Sequence, residues 1–299
     1  MKILISGGTG LIGSHFIDSR KNDEIFVLTR NKKTHHSSGN VTFVEWDGET
    51  LGDWAQVVNE VDVILNLAGE NIGDKPWTDS QKERIIQSRL QSGQVLTQAV
   101  LQAEHKPELF VQASAIGIYG TENNQVFDES SSLGNDFLAG VGKQWESSIK
   151  GLAVTGIRVV IARFGVVLDK AEGAFPKMLL PFKLFVGGPL GNGKQWVSWV
   201  HIDDVAGALG FFVDSSEACG IYNITSPNPV RNAEFGKQIA SVLNRPYWIP
   251  VPGFALRLIL GEMSTLVLDG QNVLPKKLLQ DGFSFKYNLH TQAIQDLLK

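Results

Sequence analysis

The chain alternates between short apolar runs and longer segments in which apolar residues recur at helical spacing. Short apolar runs bounded by turn residues indicate buried strands, whereas apolar residues at i, i+3 and i+4 indicate amphipathic helices. Because strands alternate with helices, the pattern predicts an α/β fold with a doubly wound parallel sheet. Strands are predicted at residues 2–6, 24–29, 41–46, 61–67, 109–113 and 156–164. Helices are predicted at 11–19, 81–103, 137–150, 177–185, 232–243, 253–260 and 291–298, with a strand end running into a helix over 199–213.

The pattern changes after Gly165. Residues 173–193 are rich in Gly and Pro, which predicts loops around one short helix. Pro and Gly recur from Ile221 onward, between further short helices. We therefore predict a first domain over residues 1–165, which also receives about 194–215, and a small, mainly C-terminal α/β domain over 166–299.

The composition is that of an ordinary globular protein. The 299 residues are 43% hydrophobic and 19% charged, and the formal net charge is −4, so no electrostatic argument favours nucleic acid or an anionic membrane as a partner. The one cysteine, Cys219, has no partner for an internal disulfide, which fits a reducing compartment. The N-terminus lacks the pattern of a signal peptide, and no apolar run reaches ~20 residues. A cytoplasmic location is expected.

Three glycines, Gly7, Gly10 and Gly13, follow the first predicted strand and extend into the first turn of the first predicted helix. In this context they are typical of the phosphate-binding turn of a Rossmann domain. Gly7 allows the tight exit from the strand, Gly10 lets backbone amides approach a pyrophosphate, and Gly13 lets the helix pack closely on the sheet. The alternative is a purely structural turn. We predict dinucleotide contacts at Gly7, Thr9, Gly10, Leu11, Ile12 and Gly13.

The end of the second predicted strand indicates the type of dinucleotide. An Asp or Glu there would accept hydrogen bonds from the ribose 2′-hydroxyl of NAD. This chain instead has Thr29 and Arg30, followed by Asn31, Lys32 and Lys33. A guanidinium binds a 2′-phosphate through charge-assisted hydrogen bonds, so NADP is favoured over NAD. The alternative is a solvated basic loop.

Further motifs lie along nearly the whole chain, at residues 66–71, 88–89, 114–120, 145–146, 187–191, 199–204, 222–225, 227–230 and 282–283. Together with the glycine turn they resemble the epimerase-like subfamily of the extended short-chain dehydrogenases/reductases. This subfamily lies within the NAD(P)-dependent epimerase/dehydratase superfamily and has a characteristic C-terminal domain.

The resemblance implies cofactor contacts beyond the glycine turn. Thr29 and Arg30 would lie at the adenosine phosphate. The turn after the fourth strand would line the adenosine ribose and the pyrophosphate, although its residues also fit a core role. The long helix would contribute two residues that are six positions apart and need not share a face. The turn residues are Leu67, Ala68 and Gly69, and the helix residues are Glu83 and Arg89. Val167 would lie near the nicotinamide.

The catalytic pattern of the wider superfamily is absent. Its active members use a Ser with a Tyr and a Lys in Tyr-x-x-x-Lys spacing, where Tyr transfers a proton and Lys lowers the pKa of that Tyr. None of the four tyrosines in this chain has Lys four residues later. Counting back from Trp145 places Phe137 near the Tyr position and Val141 near the Lys position. Neither side chain can move a proton.

Three other side chains remain as catalytic candidates. Ser114 lies one residue before the usual Ser position, with a capping or turn role as its alternative. Tyr119 lies at the sheet edge, where it either faces the nicotinamide or packs. His201 has an unperturbed pKa near neutrality, with a packed or solvated junction as its alternative. Asp203 lies in a region that usually borders the substrate crevice in the family, but for Asp203 and Asp204 we favour capping of the helix predicted to start at Val205.

Several aromatic residues fit either an apolar substrate pocket or the core, namely Trp77, Trp196, Trp199, Phe182 and Phe185. The adjacent His35 and His36 have no further ligand-type residues nearby, and no metal site is expected.

Two main functions are open. The first is an NADP(H)-binding, epimerase-like oxidoreductase that acts by hydride transfer on a small carbonyl or sugar-like substrate. The alternative is a catalytically silent NADP(H)-binding sensor or regulatory protein, because the Tyr–Lys pair is absent. A weaker third option is a nucleotide-sugar binder that uses another group, such as His201. The expected partners are a small-molecule substrate and, because related folds often dimerise through a helix pair, a second copy of the chain.

Overall fold

The structure, a computed structural model, describes residues 1–37, 39–121 and 125–299. Its strands are β1 (Lys2–Ser6), β2 (Glu24–Thr29), β3 (Val41–Glu45), β4 (Val63–Asn66), β5 (Leu109–Ala115), β6 (Val126–Phe127), β7 (Arg158–Phe164), β8 (Val166–Leu168), β9 (Trp196–Val197), β10 (Trp199–His201), β11 (Gly220–Ile224), β12 (Val230–Arg231) and β13 (Asn272–Val273). Its α-helices are α1 (Leu11–Ser19), α2 (Asp79–Gln102), α3 (Phe137–Ser147), α4 (Ala174–Lys183), α5 (Ile202–Asp214), α6 (Asn232–Leu243), α7 (Gly253–Leu260), α8 (Thr265–Leu268), α9 (Lys276–Gln280) and α10 (His290–Leu297).

Seven parallel strands form the central sheet, in the order β11–β7–β5–β4–β1–β2–β3. The chain starts in the middle of the sheet, adds β2 and β3 on one side, and then returns to add the other strands on the opposite side of β1. This reversal leaves a crevice beyond the carboxyl ends of β1 and β4, where ligands of doubly wound proteins bind. The predicted α/β doubly wound fold is confirmed.

The strands are continuously apolar because helices cover both faces of the sheet. In β1, Ile3 and Ile5 face the core that includes residues of α1 and α5. Leu4 faces the core that includes residues of α2. All three side chains are fully buried, and each contributes about 1.5–3 kcal/mol to folding.

The seventh strand, β11, was not predicted. It begins with a glycine and carries the polar Asn223, so that its sequence lacks the apolar run that marks the other central strands. The strand conformation of β11 is stabilised by hydrogen bonds to β7, because the two strands pair in parallel from Gly220 to Ile224. The sheet therefore takes one strand from beyond residue 165, and the predicted domain boundaries stay a prediction.

A third core lies beside the sheet and is built largely from the C-terminal half of the chain. Aromatic residues of α4, β10 and α6 fill it, among them Phe175, Trp199 and Phe235. Three two-stranded sheets, β8–β10, β9–β12 and β6–β13, connect this region to the rest of the fold. No helix in the described part of the chain combines the length and apolar character that crossing a membrane requires.

Candidate functional site

The glycine turn lies at the carboxyl end of β1 and is closely packed against neighbouring backbone. Gly7 has φ of +72°, and a Cβ there would lie 2.7 Å from the carbonyl carbon of Leu67. A Cβ at Gly13 would lie 2.5 Å from the carbonyl oxygen of Gly7. Gly13 therefore lets α1 pack closely against the glycine turn. The predicted role was close packing of α1 against the sheet.

The start of α1 is open toward the crevice. A Cβ at Gly10 would meet only the carbonyl oxygen of Gly7, at 3.4 Å. No side chain caps the helix, and its first turn has no acidic residue. Thr9 and Gly10 are exposed, and Leu11 and Ile12 are half-buried. The free N–H groups and positive end of the helix dipole suit a pyrophosphate, so the residues present fit a dinucleotide.

The end of β2 presents a cation to the same edge of the sheet. Thr29 is buried, and its hydroxyl oxygen accepts a hydrogen bond from the backbone N–H of Asn31 at 3.3 Å. Arg30 is exposed and forms no ion pair with the described residues. Lys32 and Lys33 follow in a short, exposed 3₁₀ turn. The guanidinium of Arg30 is therefore available to an anion.

The turn after β4 packs on both cores. Leu67 contacts the core on the α1 side, and Ala68 contacts the core on the α2 side. Gly69 lies against Arg89, because a Cβ there would be 3.1 Å from the guanidinium carbon. The turn is thus held from three directions next to the glycine turn of β1.

Arg89 is a buried cation on the inner face of α2. Its Nη1 donates hydrogen bonds to the carbonyl oxygens of Glu70, at 3.0 Å, and Ile85, at 2.9 Å. Its guanidinium lies 4.7 Å from the centre of the Trp145 ring. Burial lowers the pKa of Arg89 to about 10, so it stays charged at neutral pH and holds the loop after β4 against α2.

The other two residues implied by the resemblance lie apart from Arg89. Glu83 is on the exposed face of α2, where its carboxylate accepts a hydrogen bond from Gln87 at 2.7 Å. Val167 is half-buried in β8 and aligned with Val200 of β10. Their cofactor roles stay predictions.

A row of buried polar side chains crosses the carboxyl end of the sheet on the face covered by α2 and α3. The Ser6 hydroxyl donates to Oδ1 of Asn66 at 2.6 Å, and Asn66 Nδ2 donates to Oε1 of Gln112 at 2.9 Å. Gln112 Nε2 in turn donates to the carbonyl oxygen of Ala113 at 2.9 Å. These bonds tie the ends of β1, β4 and β5 together beneath the crevice.

The row continues as an ion-pair network. Glu146 of α3 accepts hydrogen bonds from the Ser114 hydroxyl at 2.7 Å and from Arg163 Nε at 2.7 Å and Nη2 at 2.8 Å. Arg163 Nη1 donates to the Tyr119 hydroxyl at 2.9 Å, and that hydroxyl donates to Oδ1 of Asn223 at 2.8 Å. The network joins β5, α3, β7 and β11.

This network uses the hydroxyl protons of two catalytic candidates. The Ser114 hydroxyl donates a hydrogen bond to Glu146, and the Tyr119 hydroxyl donates one to Oδ1 of Asn223. Burial also raises the pKa of Tyr119, which is 2% exposed. In this arrangement Tyr119 is a packed residue between β7 and β11.

Glu146 and Arg163 were not predicted as site residues. Glu146 stood only within the family motif at residues 145–146, with no role attached to it. Arg163 carried a usable signal, since a charged residue inside an otherwise apolar strand must find a partner. That partner is Glu146, from a helix elsewhere in the sequence.

The positions that replace the catalytic pair lie at the start of α3. Phe137 packs edge-to-face on Trp77, with ring centres 4.9 Å apart. Val141 is buried. The nearby Lys143 points away to Asn135, at 3.2 Å. Neither Phe137 nor Val141 can transfer a proton.

His201 lies apart from Ser114 and Tyr119, at the junction with the C-terminal segment. It is 2% exposed, and its ring stacks on Tyr287 with centres 3.9 Å apart. Its Nδ1 accepts the backbone N–H of Asp203 at 3.1 Å. His201 itself therefore caps α5, and the cap predicted at Asp203 or Asp204 is wrong. Asp204 instead accepts the backbone N–H of Lys286 at 2.6 Å.

The burial of His201 predicts a pH-dependent stability. Burial lowers its pKa below the ordinary 6.5, although Asp203 and Asp296 act in the opposite direction. The unfolded chain therefore binds this proton more readily, and the free energy of unfolding falls as pH drops below about 6.5, by at most about 1.4 kcal/mol per pH unit for one histidine. Urea denaturation from pH 7.5 to 5 measures the slope.

His201→Asn keeps a capping side chain and removes this titration, so its stability profile should be flatter. The residual slope includes His290, whose pKa burial also lowers. His36→Asn, at an exposed position, should leave the profile unchanged. An equal slope in His201→Asn and the parent protein would contradict the assignment.

Comparison with known proteins agrees with this architecture. The NAD dependent epimerase/dehydratase family matches residues 3–138, and a domain of unknown function, DUF1731, matches residues 251–297. The chain is 39% identical to the epimerase family protein YfhF of Bacillus subtilis, over 100% of this chain and 98% of YfhF.

Two solved structures extend the comparison. Human epimerase family protein SDR39U1, solved with NADPH, is 28% identical, with a TM-score of 0.88 over 100% of this chain and 99% of that one. A nucleoside-diphosphate sugar epimerase from Corynebacterium glutamicum is 28% identical, with a TM-score of 0.81 over 100% of this chain and 58% of that one. The predicted resemblance is confirmed: the chain belongs to the NAD-dependent epimerase/dehydratase family.

Proposed function

We propose that the protein is an NADP(H)-dependent, epimerase-like oxidoreductase that acts by hydride transfer on a small carbonyl or sugar-like substrate. The observation that carries this proposal is the open α1 N-terminus at Gly10 together with the exposed guanidinium of Arg30 at the end of β2. The NADPH in the human SDR39U1 structure supports the choice of cofactor.

Each part of the site has a definite task in this proposal. The N–H groups at the start of α1 bind the pyrophosphate, and Arg30 binds the 2′-phosphate. The two polar networks hold the carboxyl ends of five strands in place beneath the crevice. The nicotinamide, when bound, supplies or accepts the hydride.

Substitution of Arg30 tests the cofactor preference. Arg30→Ala removes charge-assisted hydrogen bonds worth about 1.5–3 kcal/mol, so the Kd for NADPH should rise by roughly 10- to 150-fold, while the Kd for NADH stays the same. Isothermal titration calorimetry with both dinucleotides measures the change. Arg257→Ala, at an exposed arginine of α7, is the matched control. Equal affinity of the parent protein for NADPH and NADH would refute the assignment to Arg30.

One observation favours a second function, a catalytically silent NADP(H)-binding sensor or regulatory protein. Phe137 and Val141 replace the acid/base pair, and the hydroxyls of Ser114 and Tyr119 already donate hydrogen bonds to Glu146 and Asn223. Oxidation of NADPH over a panel of small aldehydes, ketones and keto sugars separates the two functions. Turnover above that of the Gly13→Ala variant supports the oxidoreductase, whereas tight binding without turnover supports the sensor.

A further inference from the structure

A small cavity lies at the edge of the crevice, between the two halves of the chain. Its volume is about 220 Å³, and its lining residues are Trp77, Asp136, Phe137, Leu138, Glu262 and Thr265. One wall comes from the loop after β4 and the start of α3, and the other from the segment between α7 and α8. Leu138 also lies next to Gly117, just beyond the carboxyl end of β5, since a Cβ at Gly117 would be 3.2 Å from Leu138 Cβ. We call this cavity the aromatic pocket.

Apart from the carboxylate of Asp136, the first wall of the aromatic pocket is apolar. Trp77 and Phe137 pack edge-to-face and are both half-buried. The indole N–H of Trp77 already donates to the carbonyl oxygen of Ile72 at 2.8 Å. The rings therefore offer their apolar surfaces, which suit another ring in edge-to-face or offset contact.

The charged groups that line the pocket are both carboxylates. Asp136 caps α3 by accepting the backbone N–H of Ala139 at 2.8 Å. Glu262 pairs with Lys82, whose ammonium lies 5.2 Å from the centre of the Phe137 ring. One cation against two carboxylates leaves the pocket with a net negative charge, so an anionic ligand is repelled and an uncharged one is not.

The size of the cavity also favours a small ligand. A cavity of about 150 Å³ lined by apolar side chains holds one benzene molecule, and pockets for larger ligands measure roughly 300–1,000 Å³. At about 220 Å³ the aromatic pocket accommodates a single ring with a short substituent. A nucleoside diphosphate sugar, with its two phosphates and its base, ribose and sugar rings, does not fit inside it.

We propose that the aromatic pocket binds the ring of a small, uncharged aromatic or alicyclic substrate, and that it excludes nucleoside diphosphate sugars. The inference rests on the proposed function, because it assigns a substrate class to the crevice that binds the dinucleotide. In this proposal Phe137, at the usual acid/base position, contributes an apolar surface that contacts the substrate.

Binding of acetophenone, benzoate and UDP-glucose to the NADP⁺-saturated protein tests the proposal. Saturation-transfer NMR titrations give each Kd. Acetophenone should bind saturably, and its Kd should rise about tenfold in Phe137→Ala and in Trp77→Ala. Trp248→Ala, at an exposed aromatic residue outside the pocket, should bind acetophenone as the parent protein does. UDP-glucose should show no saturable binding.

Charge variants test the exclusion of anions separately. Benzoate should bind more weakly than acetophenone to the parent protein. The combined substitution Asp136→Asn and Glu262→Gln should lower the Kd for benzoate at least fivefold while leaving that for acetophenone unchanged, because asparagine retains the helix cap.

Three results would overturn the proposal: saturable binding of UDP-glucose, absence of acetophenone binding, or acetophenone binding that is insensitive to both aromatic substitutions. The NADPH titration of the same samples separates this failure from failure of the proposed function. If NADPH binds normally and any of these results appears, the substrate class alone is wrong. If NADPH does not bind, the proposed function is wrong. Acetophenone binding to the cofactor-free protein then tests separately whether the aromatic pocket binds an uncharged ring.

Discussion

Replacing Arg163 by methionine is expected to lower the free energy of unfolding by about 3–5 kcal/mol. The substitution leaves the carboxylate of Glu146, which is 12% exposed, without its two hydrogen bonds from the guanidinium. It also removes the donor to the Tyr119 hydroxyl. An unpaired buried charge costs more than the pair itself contributes, so the single substitution is severe. Urea denaturation followed by tryptophan fluorescence measures the loss.

A double-mutant cycle identifies the unpaired charge as the cause. Arg163→Met combined with Glu146→Gln should cost clearly less than the sum of the two single substitutions, because no isolated charge remains. Lys177→Met is the control, since Lys177 pairs with Asp74 at the surface at 2.7 Å, and its loss should cost about 0–1 kcal/mol. Strict additivity in the cycle would show that Glu146 and Arg163 do not act as a pair.

Alanine at Gly13 is expected to abolish measurable NADPH binding and to lower the melting temperature. Its Cβ would lie 2.5 Å from the carbonyl oxygen of Gly7 and 2.6 Å from the Cα of Gly8, so α1 and the turn must separate. Overpacking of this kind costs about 1–3 kcal/mol, and it outweighs the better helix propensity of alanine. Calorimetry and NADPH fluorescence titration report the two effects.

Two other glycines provide matched comparisons. Gly140, inside α3, has nothing within 4 Å of an added Cβ, so Gly140→Ala should stabilise the fold by roughly 0.5–1 kcal/mol. Gly10→Ala meets only one backbone oxygen, at 3.4 Å, and should keep the parent stability while weakening NADPH binding about tenfold. Normal NADPH affinity in Gly10→Ala would show that the dinucleotide does not approach this turn.

The sequence was sufficient for six strands of the central sheet and for three of the helices. Apolar runs located the six strands β1–β5 and β7, and helical spacing located α1, α6 and α7 at the residues where the structure has them. These signals are local, because each strand buried on both faces must itself be apolar. The glycine turn could also be predicted, because the strand and the helix that flank it are formed by its neighbours in sequence.

The polar networks could not be predicted in this way. Ser114, Glu146 and Arg163 are far apart in sequence, and only the pairing of β5 with β7 and the packing of α3 bring them together. Likewise, β11 owes its strand conformation to β7 rather than to its own residues. When two polar residues are far apart in sequence, composition alone does not reveal that they form a hydrogen bond or an ion pair with each other.

The late position of β11 in the chain has a consequence for biosynthesis. When residues 1–165 have left the ribosome, β7 is an open sheet edge, and Tyr119 has Arg163 but not Asn223 as a partner. The nascent chain must keep that edge from pairing with other chains until Gly220–Ile224 arrives. Because this closure joins residues far apart in sequence, it is slow relative to the local steps. Translation pauses or truncations before residue 220 should therefore yield aggregates rather than a smaller folded protein.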